Sequence, residues 1–536
     1  MIVKSAYLKA ARAADIPTPS GRTVYRALEI LPGALAWATI LGIFAASRFA
    51  PAAASFFIIA FDLYWLFKTV FLSVHLRAGF RKMQEYVKTD WMAKLHELKI
   101  ENSKLKISHW DDIYHLIILP FYKEPYAVLA HGLEAILANT YPKDRMLVVL
   151  GCEERAGPEA RAVAERLKAA YGGRFFKFLV TVHPKDLPGE LAGKGSNETW
   201  AARRAKAELV DPLGIPVERV VVSSFDIDTV VPPDYFAILT YHYLTAAHPL
   251  RSSYQPIPVY NNNIWDTPAF ARVVAVSGTF WQTMQQSRPE RLATFSSHSM
   301  SLPALLEMDF WPTNLVSEDS RIFWQSLLFY DGDYRVVPLY YPVYMDANVA
   351  PTAWQTAKNV YRQQRRWGWG VENVPYLLFG FLQNRAIPLR RRIYFAFNQL
   401  EGFWSWATNA LIIFFLGWLP IVIGPRDFGT SVLAYNLPWL TRWIMTVAMV
   451  GLVTSAYLSW RILPPRPAGK PWRASLWMLL QWALLPLTII TLGSLPGLEA
   501  QTRLMLGCYM GFWVTPKYRE KEKALVTETA QVELSD

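Results

Sequence analysis

Three short stretches combine residue types and spacings suited to chemistry on phosphates and hydroxyls. The first is Phe225-Asp226-Ile227-Asp228, directly after the β-prone run Val220 to Ser223. Carboxylates at i and i+2 on an extended chain project to the same side. At a strand end, Asp226 and Asp228 can hold a hard divalent cation such as Mg2+ or Mn2+ through oxygen ligands. A cation there would bridge a nucleotide diphosphate and offset charge on a leaving group. The second is Ser317-Glu318-Asp319-Ser320 before the helical run Arg321 to Leu328, where a carboxylate can act as general base on a hydroxyl. The third is Gln363-Gln364-Arg365-Arg366-Trp367, in which Arg offers planar donors to phosphate and Trp a flat face for a sugar ring. Each has a plainer account: a solvated loop, a capped helix start, and a basic aromatic helix beside a membrane.

The elements around these stretches decide whether they can meet. From about Asp111 to Tyr376 short β-rich runs alternate with helical patterns. Tyr114 to Leu119, Met146 to Leu150, Phe175 to Val182 and Val220 to Ser223 read as strands, and Pro158 to Tyr171 and Asn197 to Leu209 as helices. That alternation predicts βαβ units and a mainly parallel sheet. Ligands of such sheets bind beyond the carboxyl ends of the strands, where Asp226 and Asp228 fall.

Apolar residues crowd both ends of the 536-residue chain, which is 52% hydrophobic. Runs at Ile30 to Phe49 and Ala52 to Val74 are long enough for a transmembrane hairpin; a cleaved signal peptide is the competing reading of the first. Spans at Phe403 to Ile423, Trp439 to Tyr457 and Leu476 to Leu492 follow the central domain, while Leu504 to Val514 is short for a crossing. The net charge of +12 arises largely beside these spans, where basic residues set orientation and meet anionic lipid rather than nucleic acid. Lys4, Lys9, Arg12, Arg22 and Arg26 precede the hairpin and eight Lys/Arg follow from Arg77 to Lys106. Amino terminus and central domain are therefore expected in the cytoplasm of a multi-pass protein of the inner or plasma membrane. The segment from Arg77 to Lys106 reads as an interfacial amphipathic helix or a solvated linker helix. A cytoplasmic tail at Lys517 to Lys523 requires an even number of carboxy-terminal crossings, so three spans conflict with it unless residues 493 to 514 return or one span is misread. Cys152 and Cys508 are too far apart to suggest a metal site or disulfide framework. Asp62 lies mid-span, where it either pairs within the bundle or lines a path. The sequon Asn197-Glu198-Thr199 is idle on a cytoplasmic loop. The resulting division is 1–76 for the amino-terminal segment and hairpin, 77–110 for the basic helix, 111–376 for the central domain, 377–515 for carboxy-terminal transmembrane and interfacial helices, and 516–536 for the tail.

The ordered set of an acidic pair after a strand, S-E-D, then Q-x-x-R-W before a membrane block resembles the membrane-integrated family 2 glycosyltransferases, which include cellulose, chitin and hyaluronan synthases. The resemblance covers about Tyr114 to Trp367 and implies an α/β GT-A domain, Rossmann-like with a mainly parallel sheet, flanked by transmembrane helices. It implies that Asp226 and Asp228 bind the donor diphosphate and its Mg2+ or Mn2+, Asp228 as direct ligand. Asp319 would be the catalytic base with Glu318 beside it, and Gln363, Arg366 and Trp367 would line the meeting point of diphosphate and acceptor. Pro120-Phe121-Tyr122-Lys123-Glu124 resembles the family's P-x-Y-x-E and Lys194-Gly195-Ser196-Asn197 its K-G-x-x-N, both near the nucleotide. Where the family places an Asp to read the base, this chain has Glu153 and Glu154, so uridine is the expected base. His298, in the loop Thr294 to Met300 where the family contacts acceptor, is expected to be structural.

The function so implied is inverting, metal-dependent transfer from a nucleotide sugar, building or extending a polysaccharide at the membrane. Transfer of a single sugar to a lipid or short glycan is the alternative product. A transporter or scaffold with a non-catalytic domain is the rival from another class. Expected partners are the nucleotide sugar, a glycan or lipid acceptor, and the bilayer.

Overall fold

A computed structural model describes residues 6–100 and 107–516. The expected basic tail at Lys517 to Lys523, and Lys104 and Lys106 of the basic segment, lie outside the described residues.

The central domain is built on a seven-stranded sheet of order β3-β2-β1-β4-β6-β5-β7. The strands are β1 Tyr114–Phe121, β2 Met146–Glu153, β3 Lys177–His183, β4 Val220–Ser224, β5 Ser252–Tyr260, β6 Ser299–Ser301 and β7 Arg335–Met345. Pairings β1/β2, β1/β4, β2/β3 and β5/β7 are parallel, and β6 runs antiparallel to β4 and β5. The aliphatic runs of β1, β2 and β4 are buried almost throughout, as strands covered by helices on both faces must be. The chain lays β2 and β3 on one side of β1, then places β4 on the other. The carboxyl ends of β1 and β4 thus form a topological switch point, where such sheets open a crevice.

The first four strands and the helix Pro158–Tyr171 lie where the sequence pattern puts them. The next expected helix begins earlier, as Lys194–Ala205, and ends in a wider turn at Lys206–Val210. Strands β5 to β7 have no clear signal in the sequence. Pro256 and Pro258 interrupt β5, Pro338 and Pro342 interrupt β7, and β6 has three residues. Proline removes ladder donors, and the β5/β7 register shifts between Gln255 and Ile257.

Four helices are long and apolar enough to cross a membrane, and five if a bent pair counts as one span, among the described residues. Pro19–Phe49 and Pro51–Lys88 form the expected hairpin. The second continues into the basic segment as far as Lys88 and docks on the central domain. Leu76, Phe80 and Met83 pack with Val276 and Phe280 of the helix Ala269–Gln286, so Arg77 to Lys88 is neither a separate interfacial helix nor a solvated linker. Asp90 then caps the short helix Trp91–Glu97, whose Trp91 and Leu95 enter the domain core.

Beyond the domain, Leu389–Phe414 bends by 50° into Leu416–Ile423. Leu416 and Leu419 reach Ile43 and Phe61 near the far end of the hairpin. Val432–Arg461 runs back along Pro51–Lys88: Thr441 donates to Asp62 Oδ2 at 3.0 Å and Arg77 reaches Thr454 at 3.3 Å. Asp62 therefore pairs within the bundle. The run Trp472–Leu506 also has the length and apolarity of a span; it packs on the central domain and, through Thr502 against Trp37 and Gly493 against Trp406, on Pro19–Phe49 and Leu389–Phe414 as well. Lys470 pairs with Asp266 at 2.9 Å just before it, Gln481 accepts from Arg272 at 2.6 Å, Trp482 stacks on Phe280, and Glu499 pairs with Arg365 at 2.6 Å. Residues 493 to 506 continue this run rather than returning as a separate crossing. Cys152 and Cys508 are free thiols.

Candidate active site

Backbone geometry at the end of β4 sets the first acidic pair. Phe225 N–H donates to Ile118 O at 3.1 Å, and Thr229 N–H closes a turn on Asp226 O at 2.9 Å. Phe225 is buried against Tyr235 and Phe236, which leaves Asp226 facing the crevice. Asp226 Oδ2 accepts from Ser296 Oγ at 2.6 Å. Asp228 is buried, and its Oδ2 accepts from Asp346 N–H at 3.0 Å. The pair is thereby tied to the loop before β6 and to the end of β7.

Lys194 joins this pair to the second acidic stretch. Its Nζ lies 2.8 Å from Asp226 Oδ1 and 2.8 Å from Asp319 Oδ1, although 93 residues separate the two aspartates. The segment Lys194-Gly195-Ser196-Asn197 is held in place from two sides. Asn197 donates to Gly151 O at the end of β2 at 2.7 Å. A Cβ on Gly195 would stand 2.6 Å from Pro312 O, so only glycine lets this helix press against the loop before Ser317. Ser317 donates to Glu372 Oε1 at 2.6 Å, fixing the start of the helix Glu318–Phe329, whose first turn carries Glu318 and Asp319.

Glu198 completes the cluster. One helical turn after Lys194, it lies on the same face; it is fully buried and accepts a hydrogen bond from Ser224. Carboxylate oxygens of Glu198, Glu318 and Asp319 gather within 4.8 Å of one another. The sequence analysis noticed Glu198 only inside a sequon; its i+4 spacing from Lys194 was the available signal. Burial, then the neighbouring Asp319 charge, raises Glu318 well above the carboxylate range, against the pull of Lys194. Burial likewise raises Glu198, with Lys194 opposing and Asp319 adding. Burial alone would lower Lys194, but Asp226, Asp319, Glu198 and Glu318 outweigh it and hold the ammonium charged. The gathered carboxyl groups offer oxygen donors of the kind a hard divalent cation takes.

His298 is fully buried 3.9 Å from Asp319. Burial pulls its pKa down to about 4. Trp311 N–H donates to Nε2 at 3.1 Å and Nδ1 meets Phe295 O at 2.9 Å, so both ring nitrogens are engaged by protein in the neutral form, as a structural histidine requires.

The third stretch lies on the helix Ala353–Gly368, where Gln363, Arg366 and Trp367 share a face at i, i+3 and i+4. Trp367 is half-buried against Tyr260 and Phe295, with ring centroids 6.0 and 5.9 Å away. Burial first, then Asp226 and Asp228, raises the Tyr260 hydroxyl while Arg366 lowers it; Tyr260 thus sits between the acidic pair and the arginine. Toward the ends of β1 and β2, Tyr122 N–H donates to Glu124 at 2.7 Å. Glu153 pairs with Arg155, which lies 4.6 Å over the Tyr122 ring. Glu154 turns away to accept from Lys185 N–H at 3.0 Å.

The stretch read as Leu504 to Val514 divides: the helix ends at Leu506, and residues 508 to 516 form a strap across the site. Phe512 packs on Gly193, where any Cβ would lie 2.7 Å from its ring, and under Arg366 at 5.1 Å. Arg362 sits 5.7 Å over Trp513.

No family model matches this chain, and no curated protein matches it. Among solved structures, the mannosyltransferase PcManGT from Pyrobaculum calidifontis, in complex with GDP-Man and Mn2+, is similar at 13% identity. The match covers 84% of this chain and 99% of that one, with a TM-score of 0.41. S. aureus TarS 1–349 in complex with UDP is similar at 13% identity over 67% of this chain and 95% of its own, with a TM-score of 0.34. Likeness at this level leaves function to the chemistry of the site.

Proposed function

We propose that the chain is an inverting glycosyltransferase of the membrane-integrated family 2 type, with a GT-A domain and a nucleotide-sugar donor, UDP-linked by expectation. The observation that carries this reading is the bridge of Lys194 between Asp226 and Asp319 at the switch point of the sheet. It brings a diphosphate-binding group and a base onto one centre, with Arg366 and Trp367 beside it. Asp226 and Asp228 would hold Mg2+ or Mn2+, which when bound neutralises charge on the donor diphosphate. Asp319 accepts the proton of the acceptor hydroxyl as that oxygen attacks the anomeric carbon. The bond from that carbon to the diphosphate oxygen breaks, and the nucleoside diphosphate leaves toward Arg366. Tyr122, Glu124 and Glu153 border the nucleotide at the ends of β1 and β2. The strap through Phe512 helps exclude water from the crevice.

The contacts support one membrane arrangement. Pro19–Phe49 and Pro51–Lys88 make two crossings, the bent pair a third and Val432–Arg461 a fourth, while Trp472–Leu506 lies in the interface against the domain. Four crossings resolve the parity conflict, since they return the chain to the cytoplasmic side. The helix Ala353–Gly368, which carries Arg366 and Trp367, packs on Leu495–Leu506 and through it on Pro19–Phe49, a placement that supports a polysaccharide extended at the membrane. A cysteine at Asp427 is expected to react with impermeant maleimide from the non-cytoplasmic side, and one at Gly469 only after permeabilisation. Labelling of Gly469→Cys in sealed cells sinks this topology.

The activity itself is tested by a panel of nucleotide sugars offered to the purified protein in membranes, with and without Mn2+, followed by sizing of products. Metal-dependent release of nucleoside diphosphate from one donor is expected. Release from none, with no metal-dependent nucleotide binding, sinks the enzymatic reading in favour of a scaffold.

A further inference from the structure

Between β7 and the helix Ala353–Gly368 lies a cavity that the roles above leave unused. It has a volume of about 10 Å3 and is lined by Tyr260, Asp346, Asn348, Gln363 and Trp367, with alanine and valine side chains closing the rest. That volume accommodates one water or one hydroxyl group. Asn348 is 8% exposed, yet neither its amide nitrogen nor its carbonyl oxygen has a hydrogen-bond partner among the described residues. Buried amides without partners are uncommon and ask for a ligand or an ordered water.

The backbone holds this amide in a fixed place. Asn263 accepts from Ala347 N–H at 2.8 Å and donates to Ala347 O at 2.9 Å, clamping the residue before it. Asp346 N–H is bound to Asp228, and Ala350 N–H to Thr356 Oγ1 at 3.0 Å. Asn348 is thus suspended between the acidic pair and the helix that carries Trp367. An amide presents one donor and one acceptor in a plane, a match for a hydroxyl that must both accept and donate.

We infer that Asn348 reads a hydroxyl of the acceptor sugar adjacent to the attacking one, making it a specificity-determining residue. The inference rests on the glycosyltransferase reading and adds an acceptor requirement to it: a polyhydroxylated ring seated against Trp367, as opposed to a simple alcohol. A site built to hydrogen-bond a hydroxyl rejects acceptors that lack it, because the buried amide is then left unpaired.

The test uses the full-length protein in detergent with the donor selected by the panel above. The acceptors are methyl glycosides of glucose, galactose, mannose and N-acetylglucosamine, with n-butanol for comparison. Nucleoside diphosphate release gives acceptor KM and kcat separately. Wild type is expected to prefer one glycoside over n-butanol. Asn348→Leu is expected to raise that acceptor's KM about tenfold or more, roughly the loss of one to two hydrogen bonds, with kcat at saturation changed less than about threefold. Asn348→Ser, which keeps a donor and acceptor, is expected to fall between and serves if the leucine variant does not fold. An unchanged acceptor KM in the variant that folds means that Asn348 holds only a water, and overturns the inference. So does a rise confined to the KM of the donor, or equal use of n-butanol by wild type. A wild type that releases nucleoside diphosphate from no donor overturns the enzymatic reading itself, and this inference with it.

Discussion

Asp319→Asn is expected to lower sugar transfer by about 10^3-fold or more, the scale of a lost general base, with nucleotide affinity within about threefold of wild type. The amide is nearly isosteric, and its oxygen can still accept from the Lys194 ammonium that lies 2.8 Å from Asp319. Geometry should therefore survive while the capacity to take a proton does not. The same variant separates two roles that the structure leaves adjacent, since Asp319 shares a cluster with Glu198 and Glu318. If its work is proton transfer, Mn2+-dependent nucleotide binding by calorimetry is preserved and only turnover falls. Loss of that binding would make Asp319 a ligand of the cation rather than the base. Unchanged turnover would remove it from the chemistry altogether. Glu318→Gln provides the comparison: burial already holds Glu318 toward its neutral form, so a neutral amide there should cost far less.

Much of this site was legible in the chain before any coordinates, and the parts that were not share physical causes. The strands β1, β2 and β4 are continuous aliphatic runs, and Asp226 follows β4 directly, so the crevice and its first acidic pair could be placed by pattern. The half of the sheet from β5 to β7 could not, because its prolines break the strand signature that their burial and pairing nevertheless sustain. Glu198 was hidden because a helical residue's role depends on what its face meets, here Ser224 at the end of β4 and Glu318 and Asp319 of the next acidic stretch. Asn348 and Phe512 occupy irregular segments, where function rests on tertiary placement with no periodic pattern to mark it. The run Trp472–Leu506 has the length and apolarity of a span, but its packing on the central domain has no local pattern to mark it. Its partners Arg272, Phe280 and Arg365 lie up to about two hundred residues away in sequence.

Lys194 is where stability and function are most tightly joined, and Lys194→Met tests both. The ammonium is largely buried, with 11% of its side chain exposed, and it faces Asp226, Asp319, Glu198 and Glu318. Replacing it with an apolar chain of similar length leaves buried carboxylates uncompensated, a change that costs about 3–5 kcal/mol in comparable settings. The sign of the pH dependence then follows. Without the ammonium, the folded-state carboxyl groups are pushed further above their unfolded values. Their contribution is thus favourable at low pH and is lost as pH rises past the ordinary carboxylate range. The deficit of Lys194→Met relative to wild type is expected to be small near pH 5 and to grow toward pH 8. The wild-type ammonium stays charged throughout that window, because its own pKa is raised. Thermal midpoints of the solubilised protein across that range measure the trend. Adding Glu198→Gln should recover a large part of the stability, since it removes one of the crowded carboxylates while an amide still reaches Ser224. It should not recover turnover, because Asp226 and Asp319 remain unbridged and the base is no longer held toward the donor. A Lys194→Met protein as stable as wild type at pH 8 would show that the cluster is balanced by something other than Lys194. A double variant that regains turnover would show that the bridge has no part in the chemistry.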